Sequence, residues 1–211
     1  MSRIFAGLGT AIAVMAALAT VGCGGSKPAR FYLLESEHPE AGAAQSRDAG
    51  DLELIGVLPV VLPDYLMRPQ IASRADGNRL DYAEYDRWAE PLQDTILRLI
   101  SDDLERDLPG HVIVKHPWMA NVELEYRLRV ELEQFDLYEG GSAVLKGTWA
   151  IGEGRSGPWR RYGSFGLTET FDEKKKPDYK ARVAALNRLV HRMSEQLAIE
   201  VGSVLQTPQP K

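Results

Sequence analysis

One thiol, Cys23, and four imidazoles, His38, His111, His116 and His191, are the side chains of this sequence best suited to nucleophilic, redox or metal chemistry. A single cysteine has no partner for an intrachain disulfide and cannot build a cysteine-rich metal site. The histidines are scattered without the short spacings that bring two ring nitrogens to one ion, so each reads as a solvated or core side chain. No serine stands in the G-x-S-x-G turn that presents a hydroxyl nucleophile. Gly152, Gly154 and Gly157 fit no nucleotide fingerprint and no helix opens after them, which leaves a hairpin turn. The many carboxylates mostly alternate with apolar residues, where solvation accounts for them better than general acid–base work. The chain therefore reads as a non-enzyme that needs no cofactor and no metal.

The thiol has one further use. Arg3 is followed by IFAGLGTAIAVMAALATVGC, a positive n-region, an apolar h-region and then small residues, the order of a secretory signal. Thr20-Val21-Gly22-Cys23 resembles the bacterial lipobox. That resemblance implies cleavage after Gly22, a diacylglyceryl group on the Cys23 thiol and a fatty acyl chain, palmitate in kind, on the new amine. The rival is an uncleaved membrane helix, because 4–26 is uncharged and long enough to span a bilayer. Ala, Gly and Thr dominate it and Leu occurs only twice between Arg3 and Cys23, so its insertion drive is weak. Each buried methylene contributes ~0.8 kcal/mol, and two or more acyl chains make release negligible. Gly24 stands where enteric lipoproteins retained at the inner membrane carry aspartate, so the resemblance implies the periplasmic face of the outer membrane. The expected divisions are a lipoprotein signal peptide at 1–22, a lipid-anchored tether at 23–30, one globular periplasmic domain at 31–206 and a tail at 207–211.

Composition supports an ordinary core: 44% of the 211 residues are hydrophobic. The formal charge is -5 with both signs interspersed, which gives nucleic acid no basic patch to bind. Lys174-Lys175-Lys176 is the one basic triplet and reads as a solvated loop rather than a headgroup contact.

The elements that must position everything else centre on 57–92. Pro59, Pro63 and Pro69 fix φ and remove donors, so the chain bends there. Ile71 to Arg74 and Leu80 to Tyr85 read as a hairpin around Asp76-Gly77-Asn78. Arg87 to Leu92 reads as the opening of a helix that buries Leu92, Ile96, Leu99, Ile100, Leu104 and Leu108, exposes Asp102, Asp103, Glu105 and Arg106, and stops at Pro109-Gly110. Phe31 to Glu35, Leu52 to Leu58 and His111 to His116 are short strand candidates, the second apolar on both faces. From 121 to 138 Leu124, Tyr126, Leu128, Val130 and Leu132 alternate with Glu123, Glu125, Arg127, Arg129, Glu131 and Glu133 until the phase slips at Gln134 and Phe135. Two further strands complete a meander to Phe171, and Val183, Leu186, Val190, Met193, Leu197 and Val201 mark a last amphipathic helix over 178–205.

These elements predict an α+β fold, a largely antiparallel sheet with two amphipathic helices packed on one face. The strand at Leu52 to Leu58 needs cover on both faces and the helices supply one, so a second subunit of a homo-oligomer is a candidate for the other. Trp88, Trp118, Trp149 and Trp159 read as core or interface residues before a lipid-binding groove.

Tyr65-Leu66-Met67-Arg68-Pro69-Gln70-Ile71 with Arg74, then Tyr85-Asp86-Arg87-Trp88-Ala89-Glu90-Pro91-Leu92, resembles the signature of the PqiC/YmbA family of ABC-type transport auxiliary lipoproteins. Met67 stands where an acidic residue is commoner in that family. The resemblance implies an outer-membrane lipoprotein that acts with an MCE-domain (PqiB-like) protein in intermembrane lipid transport and envelope integrity. Tyr65, Arg68, Pro69, Gln70, Arg74 and Trp88 are the expected partner contacts, because proline-rich turns display backbone groups that no sheet has consumed. A lipid-binding carrier and a lipoprotein regulator of an envelope synthase are the alternatives.

Overall fold

The alternating run from Tyr126 to Tyr138 folds as one thirteen-residue strand, and the rest of the sheet is assembled on its two edges. The computed structural model describes residues 27–36, 53–75, 78–118, 122–173 and 177–206. The expectations for the signal peptide, Cys23, His38, Asp76-Gly77, Lys174 to Lys176 and the tail lie outside those residues. Among the described residues the elements are, in chain order, β1 (Arg30–Tyr32), β2 (Glu53–Val57), β3 (Gln70–Arg74), β4 (Leu80–Trp88), α1 (Leu92–Asp107), β5 (His111–Lys115), β6 (Tyr126–Tyr138), β7 (Ser142–Glu153), β8 (Trp159–Thr170) and α2 (Tyr179–Leu205), with a 3-10 turn at Asp64–Leu66.

One edge of β6 pairs along its whole length with β7, which pairs in turn with β8, both antiparallel. The other edge is shared end to end. β2 runs parallel to its first half, from Ile55 opposite Tyr126 to Val57 opposite Leu128, and β3 runs parallel to its last residues, with Ser73 opposite Leu137. β5 extends the first half-sheet in parallel, while β4, antiparallel to β3, and then β1 extend the second. The long ladders are antiparallel, as expected for α+β, and the parallel joints are the short ones, β2 and β3 on β6, β5 on β2 and β1 on β4. The expected phase slip is a bulge between Leu132 and Gln134. It keeps the buried set continuous, from Leu128, Val130 and Leu132 to Phe135 and Leu137.

Both helices lie on one face. Ile96, Leu99, Ile100 and Leu104 of α1 are wholly buried, and so are Leu189, Val190 and Met193 of α2. Each such side chain contributes ~1.5–3 kcal/mol of burial free energy, which is why two helices with opposite polar faces close on each other and on the sheet. Gly110, at φ +104°, ends the passage out of α1 in a conformation open to glycine. The Asp178 side chain accepts the Ala181 N–H at 3.4 Å and caps α2.

Three expectations are corrected. Arg87 and Trp88 do not open a helix: β4 continues through Trp88, whose N–H donates to the Pro69 carbonyl at 2.7 Å, and Pro91 is the cap before α1. The second face of β2 is covered by this chain itself. A methyl added at Gly56 would lie 2.6 Å from Leu124 Cδ1 and 3.0 Å from Trp118 Cζ3, so no other subunit is required there. The alternating charges are not all solvated, because Arg127 and Asp103 are buried. Arg127 spans three carbonyls, those of Glu153, Gly154 at 3.0 Å and Gly157 at 2.6 Å, and its guanidinium carbon sits 4.3 Å from the Trp159 ring centroid. Five donors in a fixed fork make that burial possible.

Candidate partner-contact site

After Val57 the chain stays on the edge of β6 without being a regular strand. Leu58 N–H donates to Leu128 O at 2.9 Å, Val61 N–H to Val130 O at 3.0 Å, and Val61 O accepts Leu132 N–H at 2.9 Å. Pro59 and Pro63 fall where no donor is needed, and Pro63 O accepts the Leu66 N–H at 2.9 Å to start the 3-10 turn. The turn fills the gap on the β6 edge between the two half-sheets.

Beneath it lies a polar network around Asp136, a carboxylate 1% exposed. Tyr65 Oη donates to Asp136 Oδ1 at 2.7 Å, and the Arg74 guanidinium bonds the other oxygen. Burial, then the bond to Asp136, holds the Tyr65 hydroxyl well above the usual phenol range, and the same carboxylate raises the Arg74 guanidinium. Tyr82 Oη donates to Tyr65 O at 3.2 Å, and the Arg68 guanidinium lies 5.0 Å from the Tyr82 ring centroid. The six expected contact residues therefore divide. Tyr65 and Arg74 are bound to Asp136, Gln70 sits in the β3 ladder opposite Arg87, and Trp88 is buried at the end of β4.

Arg68, Pro69 and Trp88 come together with Leu66, Met67, Pro91 and Leu92 around an open groove of about 290 Å³ at the notch between the half-sheets. Met67 is 60% exposed on its rim. Sequence reasoning missed Met67, Pro91 and Leu92 as rim residues, although the same two motifs contain them, because it assigned 87–92 to helix. It also missed Asp136, whose signal was a carboxylate just past the phase slip. Arg68, Glu90 and Gln93 are the polar members of an otherwise apolar lining, which suits an apolar segment with polar flanks. Among the described residues no group of three or more His, Cys, Asp or Glu gathers as metal ligands.

A second polar cluster fastens the amino end. Asp86, 4% exposed, accepts from Arg30 Nη2 at 2.7 Å and Tyr32 Oη at 2.8 Å. Burial, followed by that bond, pushes the Tyr32 hydroxyl up to about 12. Ala89 N–H donates to Tyr32 O at 2.9 Å. Three residues on, the Glu35 peptide is gripped by α2: its N–H donates to Asn187 Oδ1 at 3.0 Å, and its carbonyl accepts from Asn187 Nδ2 at 2.8 Å and faces His191 Nε2 at 2.9 Å. Leu34 between them is wholly buried.

Comparison with known proteins identifies the family and the fold. The family described as ABC-type transport auxiliary lipoprotein component matches residues 32–198. Intermembrane transport lipoprotein PqiC of Escherichia coli K12 is 23% identical over 140 residues, covering 66% of this chain and 72% of its own, and PqiC of Shigella flexneri gives the same figures. The crystal structure of an uncharacterized protein superposes with a TM-score of 0.66 at 21% identity, covering 83% of this chain and 99% of that one. A Xanthomonas campestris protein superposes at 0.64 with 14% identity, covering 84% and 100%. At such identities the two structures speak for the fold alone. None of the helices among the described residues is long and apolar enough to cross a membrane. The family description names a transport component rather than a catalyst, and this chain belongs to the ABC-type transport auxiliary lipoprotein family.

Proposed function

We propose that this protein is the outer-membrane lipoprotein of a PqiABC-like MCE/ABC-type system, held on the periplasmic face through lipid on Cys23, where it docks the end of an intermembrane lipid-transport conduit and supports envelope integrity. It acts by contact, without catalysis and without a cofactor beyond the covalent lipid. The observation that carries the reading is the family match over 32–198, which includes both motifs that form the groove. The name of the PqiC relatives, intermembrane transport lipoprotein, supports the same direction. The docking surface is the exposed rim of Met67, Arg68 and Pro69, with Gln70 beside it and Trp88 on the floor. Tyr65 and Arg74 support that rim from below through Asp136.

The test is co-purification of a PqiB-like MCE protein from crosslinked envelopes. Arg68→Glu with Gln70→Ala is expected to abolish capture while circular dichroism and the melting temperature stay unchanged. Undiminished capture by that variant removes the rim from the docking surface, and capture of a cell-wall synthase instead replaces the transport reading.

A further inference from the structure

We infer that Phe31 and Leu33, at the amino edge of the sheet, rest on the lipid surface to which the chain is anchored. This rests on the proposed lipid on Cys23. Phe31 is 64% exposed and Leu33 39% exposed, whereas their alternates Tyr32 and Leu34 turn to the core. An isolated exposed apolar side chain is ordinary, but two large ones at i and i+2, one on an edge strand and one just past it, require an explanation. The local charge supplies one. Between Cys23 and Phe31 the chain carries Lys27 and Arg30 and no acid, although the whole protein is at -5, and the first carboxylate, Glu35, comes two residues after Leu33. Arg30 shares Asp86 yet keeps 62% of its side chain exposed. Cations on the anchor side of exposed apolar side chains match a surface that is anionic at its headgroups and apolar beneath them.

Reach supplies another. Arg30 is seven residue steps from Cys23, and a fully extended chain covers at most ~3.6 Å per step, so the start of β1 lies within about 25 Å of the Cys23 backbone. The bonds from Arg30 and Tyr32 to Asp86 and from Glu35 to Asn187 hold this strand in one orientation. The apolar pair is therefore presented rigidly, close to the bilayer, and the lipid surface is its cover.

The experiment uses the full-length lipidated protein in protein-free vesicles of phosphatidylethanolamine and phosphatidylglycerol. Lipidation consumes the Cys23 thiol, so Phe31→Cys, Leu33→Cys and, as a control, Ile199→Cys each offer a single site for a nitroxide. Ile199 is 72% exposed on α2. The collision ratio of oxygen to a water-soluble nickel complex is expected to be severalfold higher at 31 and 33 than at 199. Equal ratios overturn the inference, as does spin–spin broadening at 31 that reports a second copy, or a raised ratio seen only when an MCE protein is added. The intact mass of the same preparation reads the anchor separately: without added lipid mass the anchor reading falls and this contact falls with it, whereas lipid mass with equal ratios leaves the anchor standing and removes only the contact.

Discussion

His191 Nδ1 on α2 lies 2.8 Å from Asp103 Oδ2 on α1, with 7% and 1% of the two side chains exposed. Arg106 Nη1 donates to the other Asp103 oxygen at 2.8 Å, so one carboxylate ties the helices together and collects donors from both. Removing the acceptor leaves a buried imidazole and a guanidinium without it. Asp103→Ala is expected to cost about 3 kcal/mol, read as a lower urea midpoint with an unchanged slope. Glu105→Ala, exposed on the same helix, is expected to stay within about 0.5 kcal/mol. A cost below about 1 kcal/mol at Asp103 would show the pair to be dispensable.

Glycine spacing in β7 sets a second expectation. A methyl on Gly147 would sit 2.2 Å from the Glu131 carbonyl oxygen and 2.8 Å from Phe165 Cζ, and the carbonyl belongs to a ladder that cannot yield. Gly147→Ala should cost about 3 kcal/mol or more through overpacking. At Gly166 of β8 the nearest atom would be 3.9 Å away, so Gly166→Ala should be neutral within about 0.5 kcal/mol. Equal melting temperatures for the two variants would refute the steric argument.

Local periodicity carried most of this fold. The alternation of Tyr126, Leu128, Val130 and Leu132 gave the central strand, its slip gave the bulge, and the three-and-four spacing gave both helices. The departures share one cause: alternation says which side of an element a residue takes but not what arrives there from a distant part of the chain. Arg127 was read as solvated, but the turn carrying Gly157 closes over its polar face; Asp103 was read the same way, but α2 packs over it; and the far face of β2 was read as open, but Trp118 folds back across it. The groove was half legible. Its two motifs were recognised, but a helix was started at Arg87 when a parallel neighbour, β1, extends the strand to Trp88.

Arg127 offers a third test. Arg127→Met keeps the length and loses the fork, leaving the carbonyls of Glu153, Gly154 and Gly157 without that donor, at an expected cost of about 2–3 kcal/mol. Arg127→Lys recovers only part of it, since an ammonium cannot match the planar geometry. Tryptophan emission should shift as Trp159 loses the cation over its ring, and an unchanged spectrum with unchanged stability would count against the arrangement.

Alkaline pH gives the fourth. A phenol whose folded-state pKa is raised favours the native state fully below its unfolded value, about 10, and that contribution disappears as pH climbs through the folded value. Tyr32, pushed up to about 12, places the loss between roughly pH 10 and 12, and the raised hydroxyls of Tyr65 and Tyr179 act in the same sense. Urea midpoints should decline across that window, less steeply in Tyr32→Phe. A flat profile above pH 10 would contradict the assignment.

Because β1 runs parallel to β4 and is pinned at Asp86, Ala89, Asn187 and His191, a pull on the amino end loads those bonds side by side, in shear, instead of unzipping them one by one. The strand is only three residues long, yet the Glu35 peptide just past it is held by α2, the longest helix among the described residues. Mechanical stress at that end therefore meets the pairing of β1 with β4 and Asp86 first, and α2 stands behind it through the Glu35 peptide.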